Sequence, residues 1–267
     1  MTAHQLRAAQ VAQRLPLFML WLGLLAGCQP AEQVATSATR LPTAMAAPPG
    51  PACLEAVVQD LQTTWPGNHT INIVAFGHSV PAGYGVTPTV HKRDAYPRLL
   101  EDMLAEAYPY AVLNVIGAGI GGENSSAGLQ RFQHDALDHH PRVVLIDYGL
   151  NDRSLPLDVS RQNLSSMIEA TRAAGACPIL LTPTWDTQAD PGNAGDALAL
   201  QAAMIKQLGA RLQVPVADSL QAFLEFKGDR ATLMDQFNHP NRAGHQLVLA
   251  RLQPLFMANT AHTRQDR

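Results

Sequence analysis

Residues 71–85 read Ile-Asn-Ile-Val-Ala-Phe-Gly-His-Ser-Val-Pro-Ala-Gly-Tyr-Gly, an apolar run that stops at a glycine and delivers a serine into a turn. A short apolar run bounded by turn residues is the pattern of a buried strand. Similar runs follow at Val112–Ile116, Val143–Ile146 and Ile179–Leu181. Val214-Pro215-Val216 is a weaker fifth, and Pro215 suggests an edge position for it. Between the runs lie stretches with helical spacing, such as Leu99, Leu100, Met103, Leu104 and Leu164, Met167, Ile168, Thr171. A last helical stretch includes Leu247 to Leu252. Strands alternating with helices predict a mostly parallel, five-stranded sheet covered on both faces. No internal repeat and no second composition block is present, so one α/β domain is expected over residues 53–267.

Composition narrows the function classes. The 267 residues are 46 % hydrophobic and 15 % charged, which excludes a disordered chain. A net charge of −3 leaves no basic excess to hold a phosphate backbone, so nucleic acid is not an expected partner. Three cysteines are too few for a disulfide framework or a four-cysteine zinc site.

The N-terminal stretch reads as an address rather than as part of the fold. Arg7 and Arg14 supply positive charge, an apolar run extends from Leu15 to Leu25, and Leu25-Ala26-Gly27-Cys28 follows. That run is shorter than the ~20 residues needed to span a bilayer. It resembles a bacterial lipoprotein signal, which implies a leader over residues 1–27 and a lipidated Cys28. An ordinary secretory signal with a chance cysteine is the plainer alternative. Gln29, rather than aspartate, follows the cysteine, which by analogy favours the outer membrane of a Gram-negative envelope. Residues 28–52 are rich in Ala, Pro and Thr and read as a flexible tether. Cys53 and Cys177 remain, and both a disulfide and two unpaired buried thiols fit them.

In a parallel α/β sheet, ligands bind beyond the carboxyl ends of the strands. Three segments follow strands directly: Gly77-His78-Ser79, Gly117 to Ser125, and Asp147-Tyr148-Gly149-Leu150-Asn151-Asp152. A fourth, Asp235-Gln236-Phe237-Asn238-His239-Pro240-Asn241, precedes the last helix. Each alone reads as a turn or a helix cap. Together they hold the parts of nucleophilic catalysis: a serine, a histidine to take its proton, an acid to orient the ring, and oxyanion donors.

In these four blocks, over roughly residues 70–258, the sequence resembles the SGNH, or GDSL-type, hydrolase family. The resemblance implies a flavodoxin-like three-layer α/β/α sandwich and hydrolysis of an ester or thioester without metal or organic cofactor. Carried over by position, Ser79 is the nucleophile, His239 the general base, and Gly122 and Asn151 are oxyanion donors beside the Ser79 N–H. Two departures stand out. The family's Gly-Asp-Ser is here Gly77-His78-Ser79. The aspartate usually three residues before the histidine is replaced by Gln236, with Asp235 one residue further back. Asp235 is expected to orient His239; the alternative is a Ser79–His239 dyad whose ring is oriented by a backbone carbonyl.

Rival motifs are weaker. Gly117-Ala118-Gly119-Ile120-Gly121-Gly122 matches the dinucleotide fingerprint, but it follows the second strand and leaves the other three blocks unexplained. His134, His139 and His140 read as a solvated patch rather than a metal site. Tyr84 and Trp185 are weak candidates for substrate contact, Trp185 also reading as a packing residue. The expected partners are a small-molecule or glycan ester, first an O-acetyl group on a carbohydrate, and a membrane through Cys28. A lysophospholipase or thioesterase of the same family, and a catalytically silent envelope lipoprotein, are the alternatives.

Overall fold

A computed structural model describes residues 50–257. The leader, Cys28 and most of the 28–52 tether lie outside the described residues. The chain opens with α1 (Pro51–Gln62) and β1 (Thr70–Gly77). It continues through α2 (Ser79–Ala82), α3 (Tyr96–Ala107), β2 (Val112–Gly119) and α4 (Ser125–Asp135). Next come β3 (Val143–Asp147), α5 (Gly149–Asp152), α6 (Leu157–Ala173) and β4 (Cys177–Leu181). The last third holds α7 (Ala197–Leu212), β5 (Val216–Ala217), α8 (Ser219–Glu225), the short pair β6 (Met234–Gln236) and β7 (His239–Pro240), and α9 (Arg242–Phe256).

Strands β1 to β5 form one parallel sheet in the order β2-β1-β3-β4-β5. This is the doubly wound, flavodoxin-like order. The expected α/β/α class and five-stranded sheet are therefore observed, and the Val214–Val216 run does end in the edge strand β5. Alternation along the strands sorts the core into two layers. Ile71, Ile73 and Ala75 of β1 face one side with Leu100, Leu104, Val248 and Leu252. Val74 and Phe76 face the other with Phe132, Leu164, Ile168 and Ile205. The central strands β3 and β4 are buried throughout, which is why their sequences are apolar up to Asp147, the residue that closes β3 at the sheet's carboxyl edge.

Cys53 of α1 and Cys177 at the start of β4 form a disulfide with a Cα–Cα distance of 5.8 Å. It closes a loop of sequence separation 124 and fastens α1 to the sheet. Such a crosslink contributes about 2–4 kcal/mol, largely by restricting the unfolded chain.

His245 lies in the first turn of α9, buried, with its Nδ1 accepting the Tyr96 N–H at 3.2 Å. Burial pushes its pKa down to about 3, against a weaker upward pull from Asp94 and with a further push down from His239. The folded state therefore refuses a proton that the unfolded chain accepts at about pH 6.5. The resulting stability is present above pH 6.5 and is lost as pH falls towards 3. The contribution has a limiting slope of about 1.4 kcal/mol per pH unit. Thermal melts between pH 7 and 4 should show a steep acid limb that His245→Gln makes shallower.

Candidate active site

The carboxyl end of β1 is sterically crowded. A Cβ on Gly77 would lie 2.2 Å from the Asp147 carbonyl oxygen at the end of β3, so only glycine fits there. The chain then turns at once into α2. His78 is its N-cap, with Nδ1 accepting the Val80 N–H at 3.2 Å. The Ser79 carbonyl accepts the N–H groups of Gly83 and Tyr84, both at 3.0 Å, which closes the turn under the serine side chain.

His239 comes to Ser79 from across the sequence on β7. Ser79 Oγ and His239 Nε2 are 3.0 Å apart, and both residues are buried. His239 Nδ1 faces the Gly85 carbonyl at 2.9 Å. A carbonyl can only accept, so Nδ1 carries the ring proton and Nε2 presents a lone pair to the serine hydroxyl. This is the tautomer a general base needs. Burial lowers the pKa of His239 below the usual 6.5; the Gly85 bond opposes that, and His78 adds to it.

The expected orienting carboxylate is not at Nδ1. Asp235 is the exposed middle residue of β6, between two half-buried neighbours, and β6 pairs with β7 through an irregular register. Strand alternation turns its side chain away from the core, and the Gly85 carbonyl occupies the place beside the ring. Asp235 Oδ2 does lie close to Gly85, 2.8 Å from where a Cβ on that glycine would be. The pattern is a serine–histidine pair oriented by backbone. Gln236, where the family places its acid, instead accepts the Thr87 N–H at 2.8 Å and holds the loop that carries Gly85.

The segment after β2 supplies the other wall. Ile120 N–H donates to the Gly77 carbonyl at 3.0 Å, and Gly122 adopts φ +77°, a left-handed conformation that favours glycine. The Asn151 amide of α5 donates to the Glu123 carbonyl at 2.9 Å, a bond that uses one of its two amide hydrogens. The Glu123 side chain is gripped in turn. Arg131 Nε lies 2.9 Å from both carboxylate oxygens, and the Tyr148 hydroxyl donates to Oε2 at 2.6 Å. Arg131 also donates to the Gly77 carbonyl at 3.2 Å and stacks 4.2 Å from the Phe76 ring centroid. Desolvation alone would lower the Arg131 pKa, but Glu123, Tyr148 and Asp135 more than offset it and hold the guanidinium charged. Burial, reinforced by Glu123, raises the Tyr148 pKa and keeps its hydroxyl protonated as a donor.

Tyr84 and Trp185 separate. The Tyr84 ring centroid is 5.8 Å from that of His239, and its hydroxyl lies 3.0 Å from where a Cβ on Gly121 would be. Tyr84 thus spans from the histidine to the loop after β2. Trp185 is half-buried against the core, with the Arg230 guanidinium 5.3 Å from its ring centroid. The glycines of the dinucleotide-like run are not in a phosphate-binding turn, because Gly117 and Gly119 still belong to β2. The roles of Gly85, Glu123, Arg131 and Tyr148 were not read from the sequence. They depend on contacts between separate blocks, and no local pattern signals them.

The family model described as "GDSL-like Lipase/Acylhydrolase family" matches residues 75–247. YqeF, a lipoprotein of Bacillus subtilis, is 32 % identical over 149 residues, 45 % of this chain and 60 % of that protein. Esterase TesA of Pseudomonas aeruginosa is 34 % identical over 112 residues, 41 % of this chain and 52 % of that protein. This chain therefore spans less than two thirds of the length of either relative. Thioesterase 1/protease 1/lysophospholipase L1 of Escherichia coli is 27 % identical over 190 residues, 68 % of this chain and 84 % of that protein. Among solved structures, a lipase/acylhydrolase from Enterococcus faecalis superposes with a TM-score of 0.58 at 27 % identity, over 68 % of this chain and 93 % of the other. The acetylxylan esterase Axe2 of Geobacillus stearothermophilus, at 21 % identity and a TM-score of 0.61, shares the fold over 70 % of this chain and 95 % of its own.

With a carbonyl rather than a carboxylate at Nδ1, Asp235→Ala should lower turnover of p-nitrophenyl acetate by less than about tenfold. Loss of a true triad acid costs ~10⁴ in a serine protease.

Proposed function

This chain belongs to the GDSL-like lipase/acylhydrolase family, and from that premise we propose that it is a serine esterase acting through an acyl-enzyme on Ser79. The reading is carried by one observation, the 3.0 Å contact between Ser79 Oγ and an imidazole whose other nitrogen is already committed to the Gly85 carbonyl. His239 takes the serine proton as Oγ attacks the ester carbonyl, and returns it to the leaving alkoxide. The Ser79 and Gly122 N–H groups and the second Asn151 amide hydrogen stabilise the oxyanion. Water activated by the same histidine then releases the acid.

The acyl group is small. Tyr84 stands between His239 and Gly121 on a loop tied down at several points. Its N–H reaches the Ser79 carbonyl, Gly85 N–H donates to Thr89 at 3.1 Å, and His91 N–H donates to Gly83 at 2.7 Å. A tyrosine so held narrows the space beside the nucleophile, which suits acetyl better than a long chain. An O-acetyl group on a carbohydrate or cell-wall glycan is the substrate class this favours. The name of the Escherichia coli relative makes thioester and lysophospholipid substrates the alternative.

The protein works in the cell envelope, held by lipid on Cys28, in the outer membrane of a Gram-negative bacterium. The cysteine closing the apolar leader and the lipoprotein relative YqeF support the lipid anchor, and Gln29 after that cysteine supports the outer membrane.

Hydrolysis of p-nitrophenyl acetate should exceed that of the octanoate, and Ser79→Ala should lower it by about 10⁴ or more. Tyr84→Ala should raise the octanoate-to-acetate ratio of kcat/KM by about tenfold. Preference for octanoate or a thioester by the wild type would overturn the short-acyl reading. Because His239 must be neutral to act, kcat/KM should rise with pH through a midpoint below 6.5 and stay level through neutrality.

A further inference from the structure

We propose that His78 is a positioning residue for the nucleophile, matched to Asp147, and that this pairing explains why the residue before Ser79 is not the family's aspartate. The inference rests on the reading of Ser79 as nucleophile. His78 is fully buried between the crowded Gly77 and Ser79 itself. Its Nδ1 accepts the Val80 N–H at 3.2 Å, satisfying a donor that the first turn of α2 cannot pair internally. Histidine is not among the usual N-cap residues, so something else has selected it.

The selecting group lies on the far side of the ring. With Nδ1 accepting, the ring proton is on Nε2, which faces Asp147 Oδ1 at 3.5 Å. Nε2 is buried and makes no hydrogen bond at that distance. Asp147 closes β3 and is itself buried, and its Oδ2 accepts the Tyr96 hydroxyl at 3.1 Å. The Tyr96 N–H continues to His245 Nδ1 of α9. The His78 ring thus sits against the end of β3, where Asp147 is tied to Tyr96 of α3 and, through the Tyr96 N–H, to α9. An aspartate at 78 would still cap α2, but it would set a second carboxylate against Asp147 in a buried site, where like charges cannot both ionise at low cost. A ring whose Nδ1 accepts the cap bond instead turns an N–H, not a second carboxylate, toward Asp147.

Four variants test this in the full chain, each checked for folding by its thermal melt. His78→Leu removes the cap acceptor, and a nucleophile displaced by about 1 Å costs ~10²-fold, so kcat should fall by that order with KM little changed. His78→Asn keeps a neutral acceptor and should stay within about tenfold of wild type on the same grounds. His78→Asp should fall well below His78→Asn, and adding Asp147→Asn should recover most of that loss. Labelling of Ser79 by a fluorophosphonate should follow the same ranking. Equal activity of the leucine and asparagine variants would overturn the capping role. A His78→Asp enzyme as active as His78→Asn, or one not improved by Asp147→Asn, would overturn the pairing with Asp147. Failure of the underlying reading is separate: fluorophosphonate labelling and esterase activity that survive Ser79→Ala would remove Ser79 as nucleophile whatever position 78 does.

Discussion

The close approach of β1 and β3 at Gly77 is the constraint on which the site depends. With 2.2 Å between a would-be Cβ and the Asp147 oxygen, any side chain at 77 would push the strands apart at the edge where the chemistry sits. The same residue is an acceptor hub. Its carbonyl takes the Ile120 N–H of the segment after β2 and the Arg131 guanidinium of α4. One glycine therefore sets the distances among three things: the serine two residues on, the Gly122 loop, and the end of β3 that leads into Asn151.

Buried charge is spent on holding that edge still. Arg131, Glu123 and Tyr148 satisfy one another beneath the Gly122 loop, and the Glu123 carbonyl carries the Asn151 amide. Asp152, fully buried, accepts the Ser125 N–H at 2.7 Å and the Ser160 hydroxyl at 2.6 Å. Asp186 is likewise buried and pairs with Arg153 at 2.5 Å. Such networks add little net stability over apolar packing, but removing one partner strands the others without hydration. They fix the Gly122 loop and Asn151 in place, the geometry that the proposed oxyanion stabilisation requires.

The orientation of His239 illustrates how one constraint substitutes for another. A carboxylate at Nδ1 would contribute charge; the Gly85 carbonyl contributes only a dipole and a fixed tautomer. The loop bearing Gly85 also bears Tyr84, so the carbonyl that orients the His239 ring and the tyrosine beside that ring are adjacent in sequence. Movement of that loop would disturb both, which on the proposed reading couples the geometry of the proton transfer to the space left for the acyl group.

The fold class was legible in the sequence because buried parallel strands must be continuously apolar and helices must present one apolar stripe. Those are local requirements, met by Val143–Ile146 of β3 and by β4, and by β1 apart from Thr70 and Asn72. The four blocks around Ser79, Gly122, Asn151 and His239 were legible for a related reason: turns that leave strands at a working edge need glycines and small polar residues in a short span. What the sequence left open depends on distances between remote segments. Whether Cys53 meets Cys177 depends on where α1 lies against β4. Whether Asp235 or a backbone carbonyl faces His239 depends on which way a three-residue strand alternates and on the path of the loop from Tyr84 to Val90. Backbone carbonyls carry no sequence signature, since every residue has one. The tertiary structure alone could choose among them, because only packing determines which carbonyl arrives beside which ring.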